Sequence, residues 1–318
     1  MSKILAVFGA TGQQGSSVVD HVLGDAELSR EYKLRAIVRN VDSEKAKQLT
    51  AKGVEVVQGD TSDRASLEAA LTGAHTVYIM TVVDFTPGVD DYTQEYNTAK
   101  TIADVSVAKG AAYLIFSTLP SPRAISGGKY TAVSAFDVKA DAEQYIRSLS
   151  PKVQSAFVSL GSFMENWVAP GMLAPHPSAD GSHYVLTRNQ SAASLFPLID
   201  AVGDVGKFVG AILAEPAKYD GVRLHAAQAL YSFAEITVLM SKSAGKKIVV
   251  DYVSTDEFRK SLPISGPVAE IFIEGFAYMD EFGYFGPETA KLVAADAPKA
   301  RGRLATFEEY LERHPVRL

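Results

Sequence analysis

Three glycines, Gly9, Gly12 and Gly15, follow directly on the apolar run ILAVF (4–8), a pattern typical of a phosphate-binding turn. In such a turn Gly9 allows a tight reversal, Gly12 lets the backbone approach a pyrophosphate, and Gly15 permits close packing of the next helix on the strand. The N-terminus of that helix adds N–H donors and the positive end of its dipole. A plain strand–turn–helix connection is the alternative. The other candidate dinucleotide contacts in this turn are Thr11, Gln13 and Gln14.

The residues after the next two apolar runs distinguish between dinucleotides. An acidic residue after the second run would bind a ribose 2′-hydroxyl, but this chain has Arg39 there, in AIVRN. An arginine fork binds phosphate with two hydrogen bonds and so favours NADP(H), unless Arg39 is a solvated surface residue. Asp60, in VVQGDTSD after the third run, either receives an adenine amino group or caps the helix beginning near Ser62 or Asp63.

These residues lie in a regular alternation of short apolar runs and longer amphipathic segments. Strands that are apolar on both faces and alternate with helices predict a parallel sheet covered on both sides. The expected fold is therefore α/β, a doubly wound Rossmann sheet with its ligand site at the carboxyl ends of the strands. The predicted strands are 4–8, 34–38, 54–57, 76–80, 113–116 and 155–160, and the predicted helices are 12–24, 42–51, 63–71, 92–109 and about 132–149.

The alternation stops near residue 160, and this change predicts a domain boundary. Residues 1–160 form the expected NADP-binding Rossmann domain, completed by about 196–230. Residues 161–318 form a smaller C-terminal α/β domain on the side of the substrate or partner. The segment APGMLAPHPSADGSHY (169–184) is too rich in proline and glycine to predict regular structure.

Composition excludes several kinds of site. The 31 Lys and Arg residues against 37 Asp and Glu give a net charge of −6, which disfavours direct nucleic-acid binding. The chain has no cysteine, so disulfides, thiolate catalysis and cysteine metal sites are excluded, and the six histidines lack metal-ligand spacing. No signal peptide and no apolar run of about 18 residues is evident, so we expect a protein of the cytosol or nucleus without membrane association.

Several blocks together resemble the NmrA-like family of atypical short-chain dehydrogenases, and the resemblance covers essentially the whole chain. It continues through DVGKFVGAIL and YDGVRLHAAQ into STDEFRKSLP. The blocks that carry it are GATGQQGSSVV, VRN, VEVVQGDTSD, YTQEYNTAKTIADVSVAKG, FDVKADAEQYIR and GSFMENW.

This resemblance implies an NADP-preferring Rossmann domain and a smaller C-terminal domain that closes over the nicotinamide end. Members of the family include redox-sensing transcriptional co-regulators without an established substrate. Similar proteins of the isoflavone-reductase and pinoresinol-reductase branch are NADPH reductases. In this chain we expect the backbone of residues 160–163 to border the nicotinamide, with Phe163 packing close to it.

The lysine of the dehydrogenase pattern is present but its tyrosine is not. Short-chain dehydrogenases usually protonate a carbonyl through the tyrosine of Y-x-x-x-K. Lys139 matches the family's lysine, whereas Ala135 occupies the tyrosine position. Lys139 either binds the cofactor ribose or, as in the reductase branch, acts as a general acid. An exposed helix lysine near Glu143 is the alternative.

Three further residues are candidates for the same site. Tyr130 lies nine residues before Lys139, so it can enter the site only from the preceding loop. Thr118, beside Ser117 at the end of the fifth strand, can hydrogen-bond a carbonyl oxygen or merely cap the loop. Lys100 matches a second basic position of the family, where it contacts phosphate or substrate unless it is solvated.

Two classes of function follow from these observations. The loop VVDFTPGVDDY (82–92) and an aromatic-rich C-terminus favour a substrate pocket, although an ordinary second core explains the aromatics equally well. We narrowly favour an NADPH-dependent reductase of a small carbonyl, quinone or conjugated-alkene compound. The missing tyrosine favours the alternative, a non-catalytic NADP(H) redox sensor that acts through protein partners. We expect a monomer or a homodimer.

Overall fold

A computed structural model describes residues 2–84, 86, 91–169, 171 and 174–318. The strands are β1 (Lys3–Phe8), β2 (Tyr32–Val38), β3 (Glu55–Gln58), β4 (Thr76–Ile79), β5 (Tyr113–Thr118), β6 (Gln154–Leu160), β7 (Ser162–Phe163), β8 (His176–Pro177), β9 (Tyr184–Arg188), β10 (Leu195–Ile199), β11 (Arg223–Ala226), β12 (Ala229–Ser232) and β13 (Ile248–Tyr252). The helices are α1 (Gln13–Gly24), α2 (Leu28–Glu31), α3 (Glu44–Ala51), α4 (Arg64–Leu71), α5 (Asp91–Ala108), α6 (Pro122–Ile125), α7 (Ser134–Ser148), α8 (Glu165–Val168), α9 (Ala201–Ala214), α10 (Phe233–Ala244), α11 (Thr255–Ser261), α12 (Pro267–Phe282), α13 (Thr289–Asp296) and α14 (Phe307–Arg313), with 3₁₀ turns at Pro216–Tyr219 and Ala297–Lys299.

The central sheet is parallel throughout. Within the described ranges it has seven strands in the order β11-β6-β5-β4-β1-β2-β3. The strand order reverses between β1 and β4, and such a switch point forms a crevice at the carboxyl ends of the strands. The predicted doubly wound Rossmann sheet is thereby confirmed, and the strands and helices predicted for residues 1–160 are all present.

Both faces of this sheet are buried, as β1 illustrates. Leu5 and Val7 point into the core formed with α1, α3 and α9, whereas Ala6 and Phe8 point into the core formed with α4, α5 and α7. The alternation follows from the two-residue period of a strand. Because each face needs apolar cover, β1 has no polar side, which explains why it reads as a continuous apolar run.

Helices α1 and α9 approach closely because α9 carries glycines at their contact. A Cβ atom on Gly206 would lie 2.1 Å from the carbonyl oxygen of Ser17, and one on Gly210 would lie 2.3 Å from Nε2 of His21. The Gly206 amide donates to the Ser17 hydroxyl at 2.8 Å. Burial lowers the pKa of His21, so its imidazole is held against α9 in the neutral form.

The C-terminal part contains two small sheets and a separate apolar core. Strand β10 pairs with β12 and β7, while β9 pairs with β13 and β8. The core packed around Trp167 draws on α10, α12 and α14. The expectation that 169–184 lacks regular structure was wrong at two places: His176–Pro177 forms β8, and β9 begins at Tyr184. Pairing between segments distant from one another supplies the backbone partners that local composition does not predict.

Candidate functional site

The glycine turn joins β1 directly to α1. Gly9 has a φ of 68°, a left-handed conformation that favours glycine, and its carbonyl accepts the amide of Gly12 at 2.8 Å. A Cβ on Gly15 would lie 2.2 Å from the carbonyl oxygen of Gly9, so helix and turn pack without room for a side chain. The N-cap residue of α1 is Gly12, which has no side-chain acceptor for the first amides of the helix. These features fit a turn that receives the phosphates of a dinucleotide.

The remaining turn residues face two different neighbours. Gln13 and Gln14 line a cavity next to the turn, and the Gln14 side chain accepts a hydrogen bond from the Tyr78 hydroxyl at 3.0 Å. On the other side, the carbonyl of Thr11 accepts the Lys45 ammonium at 3.1 Å. A positive charge is therefore held beside the turn, where it would attract an anionic ligand.

Arg39 and Asp60 come close to each other at the carboxyl ends of β2 and β3. Hydrogen bonds from Ser62 hold the pKa of the Asp60 carboxyl below its usual range, and the positive charge of Arg39 contributes to that effect. Arg39 itself is exposed. Helix α4 is capped by Asp63, whose carboxylate accepts the Ala65 amide at 2.9 Å, so the cap considered for Asp60 belongs to Asp63.

A cavity of about 650 Å³ adjoins the glycine turn at the carboxyl ends of the strands. Its wall is mainly apolar, and among the described lining residues Lys139 is the only charged side chain. The aromatic and sulfur-containing side chains of this wall are Met80, Phe136, Phe163, Phe196, Phe272, Phe276, Met279 and Tyr284.

Lys139, on α7, projects to the edge of this cavity and is held by two residues. Its ammonium donates to the hydroxyl of Thr81 at 3.1 Å, to the carbonyl of Thr81 at 3.3 Å and to the carboxylate of Glu95. Thr81 follows β4, whereas Glu95 lies on α5. Sequence reasoning missed Glu95, although the sequence carries a signal. It precedes Ala99 by four residues and so falls on the buried stripe of an otherwise amphipathic helix.

The end of β5 supplies the hydroxyls expected there. Strand β5 runs two residues beyond its predicted end, so Ser117 and Thr118 lie on the strand and line the cavity. Thr118 Oγ1 donates to the carbonyls of Lys139 at 3.3 Å and Leu119 at 3.4 Å, both long distances. Ala135, one turn before Lys139 on α7, also lines the cavity and presents a methyl group there.

The segment after β6 forms the far wall. Residues 160–163 line the cavity, and a Cβ on Gly161 would lie 2.4 Å from the carbonyl oxygen of Pro197. The next residues serve the fold: the Glu165 carboxylate accepts the amides of Ala201 at 3.1 Å and Val202 at 3.0 Å, at the start of α9. Burial raises the pKa of Glu165.

Tyr130 and Lys100, like Thr11, Arg39, Asp60 and the three turn glycines, are not among the described residues that line the cavity. The Tyr130 hydroxyl donates to Glu281 at 2.7 Å on an exposed surface. The Lys100 ammonium donates to Asp104 at 2.6 Å and to the Tyr145 hydroxyl at 3.0 Å. Their predicted catalytic and cofactor roles therefore have no contact at this cavity to support them.

The predicted pocket components are present in part. Val82 and Val83 of the loop 82–92 line the cavity, whereas residues 85 and 87–90 lie outside the described residues. Of the C-terminal aromatics, Phe272, Phe276 and Tyr284 line the cavity. Tyr278 and Phe285 are buried in the protein core.

The described residues contain neither a membrane-spanning helix nor a metal-binding cluster. No helix in these ranges has the length and apolar character needed to cross a bilayer. The same ranges contain no cluster of three or more His, Cys, Asp or Glu side chains that could hold a metal ion.

The fold and the glycine turn define a Rossmann protein whose C-terminal part contributes to the cavity at the carboxyl ends of the strands. The model of the NmrA-like family matches residues 1–311, and the chain belongs to this family. The NmrA-like family domain-containing oxidoreductase FrzB of Cladobotryum sp is 28% identical, and the alignment covers 100% of this chain and 96% of FrzB.

Solved structures with the same fold include proteins described as regulators and proteins described as enzymes. NmrA, described as a negative transcriptional regulator and solved with NADP, superposes with a TM-score of 0.78 and 22% identity over 97% of this chain and 94% of NmrA. Triphenylmethane reductase of Citrobacter sp., solved with NADP(H), has a TM-score of 0.75 and 21% identity over 99% of this chain and 100% of the reductase. At these identities the likeness establishes the shared fold.

Proposed function

We propose that this chain is an NADPH-dependent reductase of a small, apolar carbonyl, quinone or conjugated-alkene compound. The observation that carries the proposal is the cavity of about 650 Å³, which connects Gln13 and Gln14 of the glycine turn with Phe163 and Lys139. An apolar pocket with a few convergent polar groups beside a dinucleotide turn is the usual form of a reductase substrate site. Its volume is sufficient for an aromatic compound of one or two rings.

In this proposal the cofactor spans the carboxyl ends of the strands from β3 to β6. Gly9, Gly12 and Gly15 allow the pyrophosphate to approach the backbone and the N-terminus of α1. The exposed guanidinium of Arg39 binds the 2′-phosphate, and Asp60 receives the adenine amino group. FrzB is named as an oxidoreductase, and triphenylmethane reductase was solved with NADP(H). NmrA was solved with NADP and with NAD, so these relatives support a nicotinamide dinucleotide, and Arg39 is our reason for choosing NADP(H).

A bound nicotinamide dinucleotide supplies a hydride to the substrate. The chain's own groups orient the substrate and stabilise charge on its oxygen. Thr118 has a hydroxyl at the cavity with only long internal hydrogen bonds, so it can donate to a substrate oxygen instead. Lys139 supplies the positive charge near the same place, water supplies the proton that completes the reduction, and Phe163 would pack against the nicotinamide. Tyr130 and Lys100 have no role in this reaction, because the Tyr130 hydroxyl is hydrogen-bonded to Glu281 and the Lys100 ammonium to Asp104.

One observation favours the second candidate, an NADP(H)-responsive regulator that acts through a protein partner. Ala135 presents a methyl group to the cavity at the position where a dehydrogenase of this type carries its tyrosine hydroxyl. NmrA, with the same fold, is described as a negative transcriptional regulator. In a regulator, NADPH and NADP would shift the equilibrium between two assemblies, and no substrate would be turned over.

The decisive experiment is a panel of carbonyls, quinones and conjugated alkenes, assayed by NADPH absorbance with the wild type, Lys139→Ala and Lys100→Ala. Lys100→Ala is the matched control, because it removes a lysine ammonium that is bonded to Asp104, away from the cavity. A reductase is expected to lose turnover by about 10²- to 10⁴-fold in Lys139→Ala, with little change in Lys100→Ala. No turnover of any compound, together with NADPH binding and a redox-dependent change in assembly, would establish the regulator instead.

A further inference from the structure

Glu95 is a carboxylate buried inside the protein immediately behind Lys139. Only 3% of Glu95 is exposed, and only 12% of the Lys139 side chain. The Oε1 atom of Glu95 accepts hydrogen bonds from the Lys139 ammonium and, at 2.5 Å, from the Thr81 hydroxyl. The second oxygen, Oε2, is buried and has no hydrogen-bond partner among the described residues. A carboxylate in such a place needs a positive partner, and Lys139 is the partner present.

The contacts of Lys139 use its full capacity to donate. An ammonium has three N–H donors, and Lys139 has three acceptors: the Glu95 carboxylate, the Thr81 hydroxyl and the Thr81 carbonyl. These acceptors come from two elements, α5 and the end of β4, and so fix the ammonium from two directions. Lys139 is therefore held as a directed, charged group, which differs from a mobile lysine that reaches into the cavity.

The other charged groups nearby are occupied with one another. On α7, Asp141 is paired with the Arg123 guanidinium at 2.9 Å and accepts the Tyr92 hydroxyl of α5. Asp137 accepts the Ser121 hydroxyl at 2.6 Å. Among the described contacts of Lys139, Glu95 is thus the only countercharge.

We propose that Glu95 is a positioning residue whose carboxylate holds the Lys139 ammonium in a fixed place at the edge of the cavity. Lys139 then presents a fixed positive charge at the cavity, and its countercharge, Glu95, lies outside the cavity wall. The negative charge that forms on an uncharged substrate during reduction is stabilised beside Lys139. Glu95 acts through Lys139 and does not line the cavity with the described residues. Only the activity arm of the test below rests on the proposed reductase function.

The first arm measures Lys139 directly and needs no substrate. Acetic anhydride acylates only the neutral amine, and mass spectrometry of the Lys139 peptide gives the rate. In Glu95→Gln this rate is expected to rise severalfold at mildly alkaline pH, because the amine loses the charge-assisted hydrogen bond that holds it inside the protein. The pH profile of labelling should also move to lower pH. An unchanged profile in the folded variant overturns the proposal.

Glu143→Gln is the matched control. Glu143 is also a fully buried carboxylate, one turn after Lys139 on α7, but it is paired with Arg147 at 2.7 Å and Arg223 at 2.8 Å. This variant should leave the labelling profile of Lys139 unchanged. A profile that moves equally in both variants would reveal a general loosening and would overturn a specific role for Glu95.

If Glu95→Gln does not fold, the stabilities of two other variants still test the proposal. Lys139→Met leaves the Glu95 charge buried and unpaired, so Lys139→Met/Glu95→Gln should be at least as stable as Lys139→Met alone. Lower stability of the double variant would overturn the proposal.

The second arm uses NADPH oxidation with any substrate that the wild type reduces. The alkaline limb of kcat should move to lower pH in Glu95→Gln and stay in place in Glu143→Gln, and an unmoved limb would contradict the proposal. A wild type without turnover would refute the reductase, whereas the labelling arm would still decide the role of Glu95.

Discussion

Replacing Arg39 by alanine tests how this chain would distinguish NADPH from NADH. Arg39 is exposed, so its loss removes little internal packing. A charge-assisted pair of hydrogen bonds to a 2′-phosphate contributes about 1.5–3 kcal/mol, which corresponds to about a tenfold to a hundredfold change in affinity. We expect a loss of affinity near the tenfold end of this range, because Arg39 is exposed to solvent and the negative Asp60 carboxylate lies nearby. The pKa of Asp60 is lowered mainly by its hydrogen bonds with Ser62 and also by the charge of Arg39.

The assay is a calorimetric titration of each protein with NADPH and with NADH. Arg39→Ala should weaken NADPH binding about tenfold or more and leave NADH binding nearly unchanged. Arg39→Lys should retain part of the preference, because it keeps the charge and loses the planar fork. Lys47→Ala removes another exposed positive charge from the same region and should affect NADPH only slightly. An equal loss for both cofactors in Arg39→Ala would refute recognition of the 2′-phosphate by this side chain.

Three further predictions concern stability and the cavity wall. Gly206→Ala should lower the free energy of unfolding by about 1–3 kcal/mol, because its Cβ would meet the backbone of α1. Gly24→Ala is the control, since Gly24 has open space around it and its substitution should cost little. Equal urea midpoints for the two variants would contradict the close packing of α1 and α9. His21 has a pKa lowered by burial, so its contribution to stability is present above about pH 6.5 and is lost as the pH falls through the lowered pKa. The difference in unfolding free energy between the wild type and His21→Asn should therefore shrink with acidification, and parallel curves would argue against it. Trp167 is fully buried and packs edge-to-face on the cavity residue Phe196 at 5.5 Å, so saturating NADPH should change its emission, and an unaltered spectrum would count against a cofactor at this wall.

Much of the fold could be predicted from the sequence because its signals are local. The strands of the central sheet are buried on both faces, so each is a short apolar run, and the helices between them carry an apolar stripe. The glycine turn could also be predicted, because the requirements for glycine there are local. Gly9 adopts a positive φ, and Gly15 packs against the carbonyl of Gly9, six residues earlier.

The parts that escaped prediction depend on contacts between distant residues. Strand β9 pairs along its length with β13, so that Tyr184 lies opposite Ile248, and the proline-rich segment before β9 does not reveal this pairing. Glu95 and Lys139 are 44 residues apart and meet only when α5 and α7 pack side by side. The Tyr130 hydroxyl is directed by Glu281, 151 residues away, which the sequence does not show. The pairing of Lys100 with Asp104, one helical turn further on, could have been predicted.

If this chain reduces a compound bound in the cavity beside Phe163 and Lys139, the hydride of NADPH must be transferred to that compound. NADPH carrying deuterium on one face of the nicotinamide C4 is incubated with the protein and the best substrate of the panel, and the product is analysed by mass spectrometry. A reductase is expected to deliver deuterium from one labelled face to the product, with the rate falling by about 10²-fold or more in Lys139→Ala. For a carbonyl or alkene substrate, a product without deuterium from either face, or the same rate of transfer in Lys139→Ala, would contradict hydride transfer in this cavity. A hydroquinone loses the label to water, so for a quinone the absence of an isotope effect on NADPH oxidation from either labelled face would be the contradicting result.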